Sequence, residues 1–378
     1  MRQLLFISVY LLVYGGMHLY LFRKVTAAFS LPLPVRLGLA TALLILMLLP
    51  MAHHWLEAAG QQALGMAVNY LAFYWMGFAF LLFSLLLVLD LGHLLAFLGE
   101  RLVSITLPLP GRALGVSLAT GLALCLMVYG YYEAHTLRVD RVSIHSSKVP
   151  PGTAPLRLVQ ISDLHLGPMY SSERLAALIT TVEALKPDIL VATGDIVDGQ
   201  AEHINGYTEP LKALHAPLGK FAVTGNHEFY VGLQQSLAVL ELAGFRVLRQ
   251  EVVSPLPWLE LVGVDDPSGA RMGVPVGTPE PALLDKLNDR DFVVLLKHPP
   301  RISDAARAHV DLQLSGHIHG GQIAPFGLLT WLVYRQITGL TALNDRLMLY
   351  VSRGTGTWGP PIRIMAPPEV TLFEIMPE

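Results

Sequence analysis

Apolar positions fall in long runs at the start of the chain and in short ones after it. Four stretches up to residue 132, roughly Leu4–Leu21, Leu37–Met51, Val68–Leu89 and Ala113–Tyr132, are almost free of charge. A helix needs about 20 such residues to cross a bilayer. The first, third and fourth stretches approach that length. The second is shorter and is closed by Pro50, which leaves a tilted or re-entrant segment open. The pattern predicts two helical hairpins, with Tyr and Trp near several ends as interface anchors. The first run is long and three more follow, so it reads as a span and not as a cleavable signal peptide.

The pattern changes near His135–Gly152. Val139–Ile144 alternates like a strand, and Lys148-Val-Pro-Pro-Gly152 is rich in turn residues. Downstream, short apolar runs predict strands at Leu156–Ile161, Ile189–Thr193, Phe221–Thr224, Phe292–Leu296, Val310–Leu314 and Met348–Val351. Between the first two, Leu175, Leu178, Ile179, Val182 and Leu185 share one helical face, with Ser171 or Ser172 as cap. A second helix is expected from Gln234 to Ala243, stopped by Gly244. Alternating strands and helices predict an α/β sandwich with helices outside. The expected organisation is 1–137 as a transmembrane helical region, 138–154 as linker and first strand, and 155–378 as the catalytic domain.

Charge sharpens this division. Residues 1–137 hold six Lys/Arg and four Asp/Glu, and the other 241 hold 20 and 25. The net charge of −3 provides no basic footprint, so nucleic acid is not an expected partner. The single cysteine, Cys125, excludes an intramolecular disulfide and a cysteine-rich zinc site. Arg23, Lys24 and Arg36 follow the first span, and Arg101 and Arg112 separate the third and fourth. The loop with His53, His54 and Glu57 has no Lys or Arg. Positive residues favour the cytoplasm, which puts both termini outside, although Arg138, Arg141 and Lys148 argue the other way.

Nearly every chemically capable side chain follows directly on a predicted strand. The segments are Ser-Asp163-Leu-His165, Gly194-Asp195-Ile-Val-Asp198, Gly225-Asn226-His227-Glu228, Lys-His298 and Gly316-His317-Ile-His319. The crevice beyond the carboxyl ends of strands is where α/β folds bind ligands. Asp, His and Asn without thiolates suit Mn²⁺, Fe²⁺ or Zn²⁺. The pairs Asp163/His165 and His317/His319 each project to one side of an extended segment and address one metal or straddle two. A carboxylate between two cations is a natural bridge, and Asp195 is the central one.

Plainer readings stand beside these. Asp163 and Asn226 alone suit turns or caps, and Asp198 suits a turn carboxylate. His54-x-x-Glu57 reads as a solvated turn, and Asp90 and His93 as a helix emerging into the headgroups. Arg353 either reaches a phosphate or lies on the surface. Asp265, Asp266, His203 and His215 have no role beyond turns and surface. The apolar stretch Ile323–Leu332 reads first as buried core and second as a lip for an acylated substrate.

Taken in order, D-x-H, G-D-x-x-D, G-N-H-E, a lone His and G-H-x-H resemble the calcineurin-like metallophosphoesterase superfamily, over essentially all of residues 155–378. The resemblance implies a four-layer α/β/β/α sandwich and two divalent ions (Mn, Fe or Zn). One would be held by Asp163, His165, Asp195 and His319, the other by Asp195, Asn226, His298 and His317. His227 would stabilise the transition state and protonate the leaving oxygen, oriented by Asp198. Ile-Ser-Asp-Leu-His-Leu-Gly and Ser-Gly-His-Ile-His-Gly-Gly-Gln are similar to the bacterial membrane-associated branch and to animal transmembrane proteins with a metallophosphoesterase domain. That branch contains phosphodiesterases and an enzyme cleaving UDP-2,3-diacylglucosamine in lipid A synthesis. It implies a multi-pass protein of the bacterial inner membrane, with the bilayer and a phosphoester or lipid-linked nucleotide sugar as partners. The substrate stays open among a lipid-linked diester or pyrophosphate, a soluble diester and a monoester. A non-catalytic metal-binding scaffold is the reading from another class.

Overall fold

The computed structural model describes residues 8–104, 108–199, 201–275 and 277–378. It divides into two compact units, Met1–Tyr131 with Gly359–Ile362, and Tyr132–Trp358 with Arg363–Glu378.

The first unit is helical. Its helices are Gly16–Phe29, Leu33–Ala58, Gln62–Val103 and Arg112–Ala134, the last reaching into the second unit. Among the described residues, three segments are long and apolar enough to cross a membrane, Leu33–Ala52, Gln62–Leu102 and Arg112–Ala134. The first expected span, Leu4–Leu21, begins among residues outside the described ones.

One expectation about these helices fails. Pro50 does not close the second span. It lies inside Leu33–Ala58, where the loss of one N–H is tolerated in an otherwise uninterrupted apolar helix. The backbone at His54 and Glu57 therefore belongs to that helix and not to a loop, while their side chains lie outside the described ones. The helix that carries the third expected span continues past Asp90 to Val103; there Lys24 forms an ion pair with the Asp90 carboxylate, and the Tyr20 hydroxyl donates to it at 2.7 Å.

In the second unit, fully buried apolar runs make parallel strands, as interior positions demand. One six-stranded sheet has the order β1-β12-β2-β3-β4-β5: Arg138–His145, Glu369–Met376, Leu156–Ile161, Ile189–Thr193, Lys220–Val223 and Arg246–Val247. The other is β10-β11-β9-β8-β7-β6: Gly339–Ala342, Met348–Val351, Leu312–Ser315, Phe292–Leu296, Leu259–Gly263 and Glu251–Leu256. Leu158, Val191 and Val223 of the first sheet share one buried cluster with Leu261, Val294 and Leu314 of the second. The alternate residues Val159, Leu190 and Ala222 pack against Leu178 and Val182 of helix Ser172–Leu185. Val293 and Leu295 do the same with Leu283, Leu284 and Ala306. The period-two alternation of each strand thus builds a core on both faces.

Ser171 caps the Ser172–Leu185 helix, its hydroxyl accepting from the Arg174 amide at 3.3 Å. Two strand positions shift. The third expected strand is Lys220–Val223, and Val310–Leu314 becomes Leu312–Ser315 because Val310 ends the short helix Asp304–His309. The sequence pattern did not single out β5, β6, β7, β10 or β12. Ile323 is buried, but the rest of the Ile323–Leu332 stretch is not core: residues 327–332 form most of an exposed helix, Gly327–Tyr334, with no buried residue.

Candidate metal centre

Both sheets deliver their strand ends to one place. Asp163 and His165 follow β2, Asp195 and Asp198 follow β3, and Asn226 and His227 open the helix Asn226–Val231 after β4. His298 follows β8, and His317 and His319 follow β9. A continuous series of contacts joins eight of these nine residues. His319 Nε2 lies 3.3 Å from Asp163 Oδ1 and 3.1 Å from His165 Nε2. His165 Nδ1 is 3.1 Å from Asp198 Oδ2, and His227 Nδ1 is 2.6 Å from Asp198 Oδ1. The His227 amide donates to Asp195 Oδ1 at 2.9 Å, His298 Nε2 is 3.1 Å from Asp195 Oδ2, and His317 Nδ1 is 3.1 Å from His298 Nε2. Asn226, the ninth, sits beside His227.

The backbone is bent sharply to achieve this. Asp163, His165, Asp195, His317 and His319 all have left-handed φ angles, between 50° and 74°. Such conformations cost of order 1 kcal/mol or more per residue and persist only where the surroundings enforce them. Close approach enforces glycine too: a Cβ at Gly225 would overlap Asp195 Oδ1, and one at Gly316 would overlap Ser162 Oγ and Asp163 Oδ2.

The donor set fits divalent cations. Asp163, His165 and His319 offer ligand atoms within 4.8 Å of one another, and so do Asp195, His298 and His317; a third such group is His165, Asp195 and His227. Four imidazoles have one nitrogen held by the protein and the other turned elsewhere. The Thr193 carbonyl accepts from His298 Nδ1 at 2.8 Å, the Tyr334 hydroxyl bonds His317 Nε2 at 2.6 Å, and Asp198 takes one nitrogen each of His165 and His227. That arrangement fixes ring orientation as metal-bound histidines require. Asn226 Oδ1 is buried without a hydrogen-bond partner. An orphaned oxygen there is costly unless a cation takes it.

Electrostatics agree. Burial would raise the Asp163 and Asp195 carboxyls, but the neighbouring histidines hold both below the usual range, with His319 foremost for Asp163 and His298 for Asp195. Burial also works against Asp198, which the bonds from His165 and His227 bring down to about 2. For His227 burial would lower the value, yet the Asp198 bond and the charges of Asp195, Asp198 and Glu228 raise it to about 9. Burial likewise opposes the charge on His298, and Asp195 and Asp163 overcome it, lifting the ring well above normal. Burial and the charge of His298 lower His317 to about 4, and burial lowers His319 to about 4.

Sequence reasoning missed three supporting groups. Glu228, fully buried, accepts from the amides of Asp195 (3.0 Å), Ile196 (2.7 Å), Val197 (3.0 Å) and Gly225 (2.7 Å). Its place three residues after Gly225 is a capping-box position, a readable signal. Tyr334 and the buried Arg363 carried no such signal; the latter donates to the carbonyls of Arg353, Gly356 and Ala366 behind His319. Arg353 is not available to a phosphate, since Asp140 and Glu369 engage it. Asp265 bonds Arg249 and Thr224, and Asp266 caps Ser268.

Residues 156–321 match the family model for calcineurin-like phosphoesterases. The chain is 44% identical over 255 residues to an uncharacterized metallophosphoesterase of Aquifex aeolicus, covering 67% of this chain and 97% of that protein. It is 33% identical over 260 residues to a transmembrane protein with metallophosphoesterase domain of Danio rerio, covering 65% of this chain and 59% of that one. An uncharacterized metallophosphoesterase of Helicobacter pylori is 32% identical over 267 residues, 69% of this chain and 71% of its own length.

Two outcomes are expected from this geometry. Without metal, Asp195 and Asp163 favour the protonated form of His298, whereas His317 and His319, lowered to about 4, favour the neutral form. His298 must give up that proton to become a ligand, so metal binding releases a proton and tightens as pH rises. Calorimetry in two buffers of different ionisation enthalpy measures the release; an affinity flat between about pH 6 and 8 would contradict it. Separately, Tyr334→Phe frees the His317 ring and should weaken one metal site about 10- to 100-fold. Competition titration should show binding at Asp163, His165 and His319 unchanged.

Proposed function

The chain belongs to the calcineurin-like metallophosphoesterases, and on that premise we propose that it is a membrane-anchored hydrolase of a phosphodiester or pyrophosphate bond in a lipid-linked substrate. The observation that carries this reading is the meeting of the metal-competent cluster with an exposed apolar helix at Tyr334. In this reading residues 1–137 anchor the chain by several passes, and 155–378 form the catalytic domain, whose two-faced sheets suit the four-layer sandwich of the family.

Asp163, His165, Asp195 and His319 would hold one divalent ion, and Asp195, Asn226, His298 and His317 a second. Bound ions supply Lewis acidity, drawing charge from phosphoryl oxygens and making water nucleophilic near neutral pH. His227, raised to about 9 and therefore protonated at pH 7, gives its Nε2 proton to the leaving oxygen. Asp198 holds Nδ1 of the same ring, so the proton-bearing nitrogen is fixed in direction. Glu228 keeps the Asp195 loop rigid from behind.

The surroundings suit an amphiphilic substrate. The helix Gly327–Tyr334 exposes Leu328 (68%), Leu329 (53%), Trp331 (44%) and Leu332 (53%), and its last residue bonds His317. An acyl chain laid along these side chains brings its phosphate to the cluster. On the other flank, the exposed rings of Tyr230 and Trp358 lie 5.5 Å and 6.3 Å from His227. Aromatic faces of this kind stack nucleobases. An acylated nucleotide sugar such as UDP-2,3-diacylglucosamine combines both parts.

Steady-state kinetics on the purified full-length protein tests the reading. His227→Ala should keep both ions while kcat falls by roughly 10²–10⁴. Trp331→Ser with Leu332→Ser should lower kcat/KM for the acylated nucleotide sugar and spare a small soluble diester. Equal losses on both substrates would make the helix a structural element only. No turnover of any phosphoester by the metal-loaded protein would favour a scaffold.

A further inference from the structure

A second charged site lies within the helical unit, separate from the metal cluster. A cavity of about 570 Å³ is lined by Arg23 and Lys24 of one helix, Leu89, Asp90 and His93 of another, and Arg112 at the start of a third. Its charges are unbalanced. Asp90 is occupied by Lys24 and Tyr20, which leaves Arg23 and Arg112 without an acidic partner among the described residues. His93 has its ring nitrogens 2.8 Å from the Leu89 carbonyl and 3.2 Å from that of Pro110, tying the long helix to the start of the next. The remaining wall is apolar: Ala27, Leu86, Leu89 and Val116.

The level of the cavity is set by the Arg112–Ala134 helix. At 1.5 Å per residue its 23 residues span about 35 Å, close to the ~30 Å hydrocarbon layer. Its first turn stands beside Leu89, since a Cβ on Gly115 would lie 3.6 Å from Leu89 Cδ1. The cavity therefore sits at a membrane–water boundary. This end of the bundle also carries Arg23, Lys24, Arg101 and Arg112, whereas the turn Ala59–Gln61 between the second and third helices has no Lys or Arg. Positive residues mark the leaflet that faces the cytoplasm, where anionic lipids concentrate.

Two unpaired guanidinium groups above an apolar wall, at headgroup depth, are complementary to a phosphate that carries acyl chains. Guanidinium binds phosphate oxygens in pairs, and basic pockets between membrane helices hold anionic headgroups. We propose that this cavity binds the phosphate headgroup of an anionic phospholipid through Arg23 and Arg112, with the Lys24–Asp90–Tyr20 group fixing the positions of the helices around it. The site is independent of the phosphoesterase reading and of the acyl path along Gly327–Tyr334.

Displacement of fluorescent phosphatidylglycerol from the full-length protein in detergent micelles tests this. Unlabelled phosphatidylglycerol should compete at least ten-fold better than phosphatidylcholine. Arg23→Ala with Arg112→Ala should lose that preference, while turnover of a soluble phosphodiester stays unchanged. Ala27→Trp, which fills the cavity and leaves the charges in place, should lose binding as well. Competition by inorganic phosphate as strong as by the lipid would support the phosphate site and make soluble phosphate its ligand. Equal competition by both lipids, or full binding by the double variant and by Ala27→Trp, would overturn the proposal.

Discussion

The sheet-bearing unit of this protein is organised around one buried carboxylate, that of Asp195. One oxygen accepts the His227 amide and the other faces His298, while Glu228 binds the amide of Asp195 itself. Through those contacts the ends of β3 and β4 in one sheet are joined to the end of β8 in the other. A charge removed from water costs several kcal/mol unless it is paired and hydrogen-bonded. Asp195 meets that condition only if both sheets present their loops at the same point.

The same condition explains the strain around it. Asp163, Asp195 and Glu228 are all buried, with relative exposures of 0%, 2% and 0%. Neutral or protonated histidines offset the first two, and backbone amides the third. Five left-handed residues in these loops add a further cost, and the sandwich core, apolar on both faces of each sheet, offsets it. The binding of cations would relieve much of the remaining repulsion, since one ion would give the facing nitrogens of His165 and His319 a shared partner and another would give Asn226 Oδ1 one. In this respect the site is preorganised for metal at the expense of stability without it.

How much of this was legible in the sequence follows from the range of each interaction. The parallel strands were legible because a run such as Phe292–Leu296 has no polar position, and its shortness and paired valines suit a strand buried on both faces. The ligands were legible because each immediately follows such a run. Glu228 was not given a role: its bond from the Gly225 amide is local, but those from the Asp195, Ile196 and Val197 amides join residues about thirty positions apart, which no local spacing reports. Pro50 misled because it is a helix breaker by residue type, yet it lies inside the continuous helix Leu33–Ala58. Strand β12 escaped notice because it pairs with β1 and β2, far from it in sequence, and lies beyond the last motif.

The helix Gly327–Tyr334 is where packing and function diverge most clearly. Fully burying a leucine contributes about 1.5–3 kcal/mol. Leu328, Leu329 and Leu332 forgo most of that, being more than half exposed. The Arg335 guanidinium lies 4.8 Å from the ring centre of Trp331, which stays 44% exposed. A segment kept for stability alone would turn this face inward or exchange it for polar residues. Instead its last residue, Tyr334, reaches His317, so the orientation of one candidate ligand depends on a helix that contributes little to the core. An apolar surface coupled to a ligand in this way is sensitive to whatever covers it. Occupation of the helix by an acyl chain would thus steady the His317 ring, linking recognition of the lipid part of a substrate to the chemistry at its phosphate.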